Sequence, residues 1–372
     1  MKRRREIYFI VATVVAIVAM WFIPTGYENP SLTRNILYEK ARVMEVDNDD
    51  INNISVVTLG EQRLKLEILS GEFKGDIVHA TNTVLGDKRR DKIFSPGDKI
   101  LTQIRVDDTQ REIIEVRAED FYRQDLAAIL LAVFVVALII FAGRTGIKAA
   151  LSFIFTALTF WKILLPLLLR GYSPLPISIA VVALSTAVII LLVAGLTRKG
   201  VVALSGAIAG VATTALLAMI FGYFFKIPGT IHEYADALLY AGFDSLNFSD
   251  IFLSCIFISS AGAVMDVAMD IAAAQDEIIA KAPHLTTREL IRSGLNVAAP
   301  VVGSMTTTLL FAYSGSFMFA FMAFIAQGIP MECVINRGYI ASEILLTMVG
   351  SFGLVLVAPI TAIIGGYIYK RI

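Results

Sequence analysis

Residues 251–278 read IFLSCIFISSAGAVMDVAMDIAAAQDEI, and this stretch decides the class of fold. It begins with apolar and small residues, and it then places Asp266 and Asp270 four residues apart. About 20 apolar residues are needed for a helix to cross the hydrocarbon core of a bilayer. The chain as a whole is apolar, because 56% of its 372 residues are hydrophobic and its mean hydropathy is +0.72. The sequence therefore predicts an α-helical polytopic membrane protein.

The apolar runs predict about eight transmembrane helices. We interpret the first as an uncleaved span, because Trp21, Phe22 and Pro24 stand where a signal-peptide cleavage site needs small residues. Pro300 interrupts the seventh run, so we expect a kinked or broken helix there. The predicted spans are Ile7–Ile23, Leu126–Ala142, Ala149–Leu169, Pro174–Leu196, Val201–Phe225, Asp250–Ala274, Val297–Ala326 and Ile340–Tyr369.

Residues 26–123 differ from the rest in being charged and rich in short β-type runs. Alternation of polar and apolar residues predicts six strands, with a turn at Gly60. We expect a small β-barrel of the oligonucleotide/oligosaccharide-binding (OB) or SH3-like type; a strand-rich spacer without a ligand of its own is an equal alternative. The predicted domains are an N-terminal transmembrane helix (1–25), this β-rich domain (26–123) and a seven-helix transmembrane domain (124–372). The six runs are YEKARVMEV, ISVVTL, RLKLEIL, DIVHA, DKILTQIRV and REIIEVR.

The distribution of Lys and Arg predicts the orientation, because short cytoplasmic loops carry an excess of both. With the N-terminus in the cytoplasm, the inner segments hold thirteen of these residues, and the short outer loops hold only Arg170, Lys226 and Arg337. Both termini are then cytoplasmic, and the β-rich domain, inserted between the first two spans, is extracytoplasmic. The inner set is Lys2, Arg3, Arg4, Arg5, Arg144, Lys148, Arg198, Lys199, Lys281, Arg288, Arg292, Lys370 and Arg371.

The two aspartates of the opening stretch lie on one face of the predicted sixth span. Asp266 is roughly 24 Å along the helix from Asp250, at 1.5 Å per residue, which places it inside the bilayer core. An Asp at the centre of a membrane helix costs about 2.5–3.5 kcal/mol, so we expect Asp266 to be functional. Asp270 lies nearer the boundary and is equally well interpreted as an interfacial charge. Carboxylates at this spacing titrate as a unit, which suits proton exchange or cation binding.

The predicted seventh span offers hydroxyl groups that could face these acids. Ser304, Thr306, Thr307 and Thr308 can hydrogen-bond a carboxylate, a cation or a polar solute, and equally well their own helix backbone. Lys162 and Glu343 are further charged residues within predicted spans.

These features favour a membrane transporter or permease for a small polar solute or ion, with Asp266, Asp270, Ser304, Thr306, Thr307 and Thr308 as its binding or coupling residues. An envelope scaffold or assembly factor, whose extracytoplasmic β domain binds a partner, is the alternative. We expect no enzymatic activity, because the chain has no HExxH motif and no histidine in any predicted span. The zero net charge, two cysteines and three scattered histidines indicate no nucleic-acid partner, metal or cofactor.

Two blocks carry a resemblance to a known family. GAVMDVAM at 262–269 and GSMTTTLLFAYSGS at 303–316 resemble the YibE/F family of bacterial multi-span membrane proteins. The resemblance covers essentially the whole chain and implies a bacterial cytoplasmic membrane location, transport or permease activity, and a paired homologous subunit. A homo-oligomer is the alternative assembly. The commoner form of the family has serine at the position of Asp270 and different residues at Ala299, Pro300 and Thr307, so Asp266 is the acid that the resemblance carries over.

Overall fold

The computed structural model describes residues 2–27, 35–107 and 112–370. Arg111, which begins the last predicted strand, and Arg371 of the predicted inner set lie outside the described residues. The chain forms two compact units. One consists of residues 26–137, and the other of residues 1–25 and 138–372.

The predicted small barrel is present in the first unit, and five strands close it. They are β1 (Ile36–Ile54), β2 (Val57–Ile68), β3 (Ile77–Leu85), β4 (Lys99–Val106) and β5 (Ile113–Phe121). The order around the barrel is β1-β2-β3-β5-β4. All neighbouring strands are antiparallel except β3 and β5, which pair in parallel with Thr81 opposite Arg117.

The prediction of six strands was wrong by one. The run ISVVTL is not a strand of its own, because the chain reverses inside it at Ser55, which has φ 56°. Residues 57–59 continue directly into the following run to form β2. Gly60 is not a turn but a residue within β2, where its φ of 134° and its close approach to the carbonyl of Asp50 allow β1 to bulge beside it.

The barrel has its own hydrophobic core because its strands alternate. Leu64, Leu66 and Ile68 of β2 point inward and are fully buried, while the residues between them are more exposed. Phe94, from the loop before β4, closes the core, and its ring meets that of Phe121 edge-on at 5.0 Å between centroids. The barrel is therefore packed from within rather than hollow.

The helices of the chain are α1 (Lys2–Phe22), α2 (Gln124–Thr159), α3 (Leu165–Leu169), α4 (Pro174–Val193), α5 (Arg198–Phe225), α6 (Ala235–Tyr240), α7 (Phe248–Lys281), α8 (Thr287–Ala326), α9 (Met331–Ile335) and α10 (Gly338–Lys370). Among the described residues, six helical runs are long and apolar enough to cross a membrane. The apolar part of α1, Glu6–Phe22, is shorter than these six. The predicted second and third spans form one of the six, Gln124–Leu169.

Gly143 divides that long run at the place where the sequence predicted two spans. Its φ of 55° and ψ of −125° are not helical, and a Cβ atom on Gly146 would lie 2.3 Å from the carbonyl oxygen of Leu138. Residues eight apart in a straight helix are about 12 Å apart, so the chain turns sharply here. Further along, a π-helical turn at Phe160–Leu164, which contains Lys162, connects α2 to α3.

The core of the helical unit is formed where α5, α7 and α10 meet. Gly210 of α5 makes this approach close, because a Cβ atom there would lie 2.7 Å from methyl carbons of both Val264 on α7 and Val357 on α10. Val264, Val357 and the adjacent small residues are fully buried. Small residues allow membrane helices to pack closely, and this packing fixes which face of α7 is left outside.

The helix that contains the seventh predicted span begins well before that span. α8 opens with a capping box, in which Thr286 Oγ1 accepts from the amide of Glu289 at 3.3 Å and Glu289 Oε2 accepts from the amide of Thr286 at 2.7 Å. It then runs unbroken through Pro300 to Ala326, so the chain is not broken at this proline.

Candidate functional site

One face of α7 is left open by the rest of the helical unit. Ser259, Gly262, Asp266 and Asp270 are exposed along a stripe that continues through Ala273 to Glu277. All buried residues of α7 lie off this stripe. A Cβ atom on Gly262 would meet nothing within 4 Å, so the space beside Gly262 is open. The open face is thus the acidic, small-residue one, and we call it the acidic face of α7.

Asp266 lies in the middle of this face. Eighteen residues of α7 precede it and fifteen follow, so it is roughly 22–27 Å from either end of the helix. Asp270 is one helical turn away on the same face. No hydrogen bond or ion pair joins either carboxylate to another group in the part of the chain that is described.

The neighbouring helix α8 runs antiparallel to α7, and two contacts fix its register. Gln275 Nε2 donates to the carbonyl oxygen of Leu290 at 3.3 Å, and Ser259 lies beside Tyr313. Between these contacts, Asp266 is level with Gly303 and the adjacent Ser304 of α8. A Cβ atom on Gly303 would also meet nothing within 4 Å.

The four hydroxyl groups that the sequence analysis assigned to the site lie on α8 close to the level of Asp266. Each of them donates its hydrogen bond to a backbone carbonyl of α8 itself. Ser304 donates to Val301 at 3.0 Å, Thr307 to Gly303 at 3.3 Å and Thr308 to Ser304 at 3.0 Å, in each case to the carbonyl oxygen. Thr306 does the same to Val302 at 2.7 Å. The structure therefore does not connect these hydroxyls to Asp266 or Asp270. Their oxygen lone pairs remain able to accept a hydrogen bond or coordinate a cation.

A second polar position lies in a cavity between α8 and α10. The cavity has a volume of about 170 Å³, and its wall is mostly apolar. Glu343 of α10 is half-buried in this wall, in the second turn of its helix. The residues that line the cavity include Leu310, Ser314, Phe317 and Phe321 on α8, and Glu343 and Thr347 on α10.

Sequence reasoning noted Glu343 as a charged residue in a predicted span but did not include it in the site. The available signal was the run GYIASEILLTM at 338–348, in which one acid stands among apolar residues. That signal could not show the cavity, because the cavity is formed by α8 residues about thirty positions earlier in the chain.

The outer surface of the barrel carries charges that are paired with one another. Lys65 Nζ lies 2.8 Å from Glu45 Oε1, and this hydrogen bond lowers the pKa of the Glu45 carboxyl. Arg63 pairs with Asp50 at 2.6 Å. These cross-strand pairs between β1 and β2 are typical of a solvated sheet surface.

Among the residues that the structure describes, no group of three or more His, Cys, Asp or Glu side chains could hold a metal ion. The two cysteines, Cys255 and Cys333, are not joined in a disulfide.

The fold and these sites define a class of protein: a largely helical protein with six long, membrane-like apolar helical runs among its described residues and a small inserted β-barrel. Within that class, the chain belongs to the YibE/F family, because residues 130–371 match the model described as YibE/F-like protein. Residues 37–121 match the model of the YibE/F family N-terminal domain, which corresponds to the barrel. Searches of curated proteins and of solved structures found no match.

Proposed function

We propose that this protein moves a small polar solute or an ion across a membrane, with Asp266 as the ion- or proton-binding residue. One observation carries the proposal: α7 is packed in an apolar core on its other sides, yet its most polar face is open. A carboxylate that faces lipid costs several times the thermal energy, so this face requires water, a solute or another helix beside it. Intramembrane acids of this kind mark ion and substrate pathways in membrane proteins.

The chemistry of the acidic face suits a cation or a proton. Asp266 and Asp270 are neighbours one turn apart, so two ionised carboxylates repel each other, and a shared proton or a bound cation relieves the repulsion. The hydroxyl oxygens of Ser304 and Thr307, at the level of Asp266, supply additional acceptors for a cation or a polar solute. Asp266 is therefore assigned the coupling role, with Asp270 in support.

In this proposal the protein is a multi-pass protein of the bacterial cytoplasmic membrane. Both ends of the chain are cytoplasmic, and the barrel lies on the opposite side of the membrane. The distribution of Lys and Arg between the short loops supports this orientation.

Flux measurements on the full chain in liposomes test the proposal. The probes are proton flux with a trapped pH-sensitive dye, sodium uptake and vesicle swelling with small polar solutes. We expect at least one flux to exceed that of protein-free vesicles, and Asp266→Asn to lower it by about tenfold or more, because the amide cannot exchange a proton or neutralise a cation.

Two further variants test whether a loss of flux is specific to Asp266. Asp270→Asn is expected to lower the same flux less than Asp266→Asn does. Asp276→Asn, an exposed acid on α7 that lies off the acidic face, is expected to leave it unchanged. Equal flux through the wild type and Asp266→Asn would remove Asp266 from the mechanism, and no flux of any probe would remove transport itself.

An envelope scaffold or assembly factor is the second candidate. Small residues on an open helix face are also what a partner helix requires for close packing, and the barrel is a compact unit in its own right. Deleting residues 30–120 separates the two candidates. Flux that survives the deletion makes the barrel accessory to transport, whereas absent flux together with loss of a barrel-dependent partner supports the scaffold.

A further inference from the structure

The cavity between α8 and α10 contains three polar groups that the chain leaves unused. The carboxylate of Glu343 and the hydroxyls of Ser314 and Thr347 all line it. None of the three makes a hydrogen bond or an ion pair within the described part of the chain. Other hydroxyls of these two helices behave differently: Thr308 and Ser342 donate to backbone carbonyl oxygens of their own helix. Unused polar groups gathered in one cavity indicate that something else satisfies them.

The cavity is lined by one acidic side chain, that of Glu343, and by no basic one. The phenols of Tyr313 and Tyr339 are the titratable neighbours of Glu343, and both are neutral at physiological pH. Arg337, the nearest base in the sequence, stacks over the ring of Phe324 at 4.8 Å and forms no ion pair with Glu343. A half-buried carboxylate without a basic partner favours a cation.

The apolar residues of the cavity wall favour an organic cation over a hydrated metal ion. Phe317 and Phe321 present aromatic rings, and apart from the three polar residues the other lining residues are aliphatic or methionine, so most of the surface is apolar. Aromatic faces attract organic ammonium groups, whereas a hydrated metal ion gains little from an apolar wall. An apolar cavity of about 150 Å³ accommodates a molecule the size of benzene. At about 170 Å³, this one accommodates a ligand with a single ring or a short branched chain.

We propose that the cavity binds a small organic monocation, namely a protonated or quaternary amine with a compact apolar body. The ammonium group lies against Glu343, with Ser314 and Thr347 accepting its N–H groups where it has them, and the apolar body packs against Phe317 and Phe321. The cavity is formed by α8 and α10 and does not include the acidic face of α7, so this inference does not rest on the proposed function.

Binding to the full chain in detergent, measured calorimetrically, tests the inference with two molecules of matched shape. Phenethylammonium is the cationic probe, and 2-phenylethanol is its neutral counterpart. We expect the wild type to bind phenethylammonium more tightly than the alcohol. Glu343→Gln should weaken phenethylammonium binding about 10- to 100-fold, which corresponds to the loss of one charge-assisted hydrogen bond, and should leave the alcohol unaffected.

Two variants accompany this measurement. Glu332→Gln, an exposed acid on the short helix α9, is the matched control and should bind phenethylammonium as the wild type does. Thr347→Val keeps the shape of the wall and removes one acceptor. It should weaken phenethylammonium binding by about three- to tenfold, and it provides the test if Glu343→Gln does not fold.

Three outcomes would overturn the inference. Equal affinity of the wild type and Glu343→Gln for phenethylammonium would exclude the carboxylate as its counter-charge. Equal affinity for the alcohol and the amine would make the cavity a groove for neutral apolar molecules or lipid chains. Binding of sodium without any binding of phenethylammonium would make it an inorganic cation site.

Discussion

Gln62 shows how a single residue organises the barrel. Its side chain is fully buried, and all four of its hydrogen-bonding positions are used. Nε2 donates to Asn48 Oδ1 at 2.8 Å and to the carbonyl oxygen of Phe94 at 2.9 Å. Oε1 accepts from the amide of Phe94 at 3.0 Å and from Asn82 at 3.1 Å. The loop that brings Phe94 into the core is thus held to β2 by one amide group.

Replacing Gln62 with leucine is predicted to destabilise the barrel by about 2–4 kcal/mol, because buried groups of Phe94 and Asn82 lose their hydrogen bonds to it. Hydrogen exchange on the full chain should show the amide of Phe94 and the strand amides exchanging roughly 30- to 900-fold faster. Gln103→Leu is the matched control, since this glutamine lies on the outer side of β4 and should have little effect. Unchanged protection at Phe94 in the Gln62 variant would contradict the assigned role.

Single residues also show how far the sequence could be used to predict the site. The position of Asp266 deep in a long apolar run, and the capping box at Thr286, follow from local spacing, so both could be predicted. Whether Asp266 points into the core or out of it depends on how α5 and α10 pack on α7, which local spacing does not determine.

At the level of helices and strands, the predictions of helices succeeded because one physical requirement, the pairing of backbone hydrogen-bonding groups, dominates in long apolar runs. Apolar runs long enough for a bilayer became helices, because a helix satisfies all its backbone hydrogen bonds internally. The strand count failed at Ser55, where a hairpin reverses without glycine, proline or asparagine at the positive-φ position. Turns are predicted from glycine, proline and asparagine, so a turn that has none of them at its positive-φ position and lies within a β-branched run is not predicted.

The packing of α7 predicts opposite effects for two glycine-to-alanine changes. At Gly210 the new methyl group would lie 2.7 Å from Val264 and Val357, so overpacking should destabilise the helical unit by about 1–3 kcal/mol. At Gly262 the space is open, and the higher helix propensity of alanine should stabilise the helical unit by about 0.5–1 kcal/mol. Thermal unfolding of the full chain in detergent should show a lower midpoint for Gly210→Ala and an equal or higher one for Gly262→Ala. The reverse order would show that α5 is not packed against α7 and α10 as described.

At the scale of the whole molecule, the chain combines two units with different requirements. The helical unit leaves many large apolar side chains exposed on its surface. The barrel buries its own core and covers its surface with paired charges. The two matches to family models follow the same division, with the N-terminal model on the barrel and the other on the helices. Sequence composition revealed this division because long apolar helical runs and charged, alternating strands have different compositions.

The barrel is therefore predicted to fold without the helices. Residues 26–123 produced alone should give a soluble, β-rich monomer that unfolds cooperatively in urea, since its core is internal and its strands close on one another. Ile100→Ala, at a side chain that is 0% exposed, should lower the free energy of unfolding by about 2–4 kcal/mol. Ile77→Ala, at a side chain that is 60% exposed, should change it by about 0.5 kcal/mol or less. Similar losses in both variants, or gradual unfolding of the wild-type fragment, would mean that the barrel depends on the helical unit for its core.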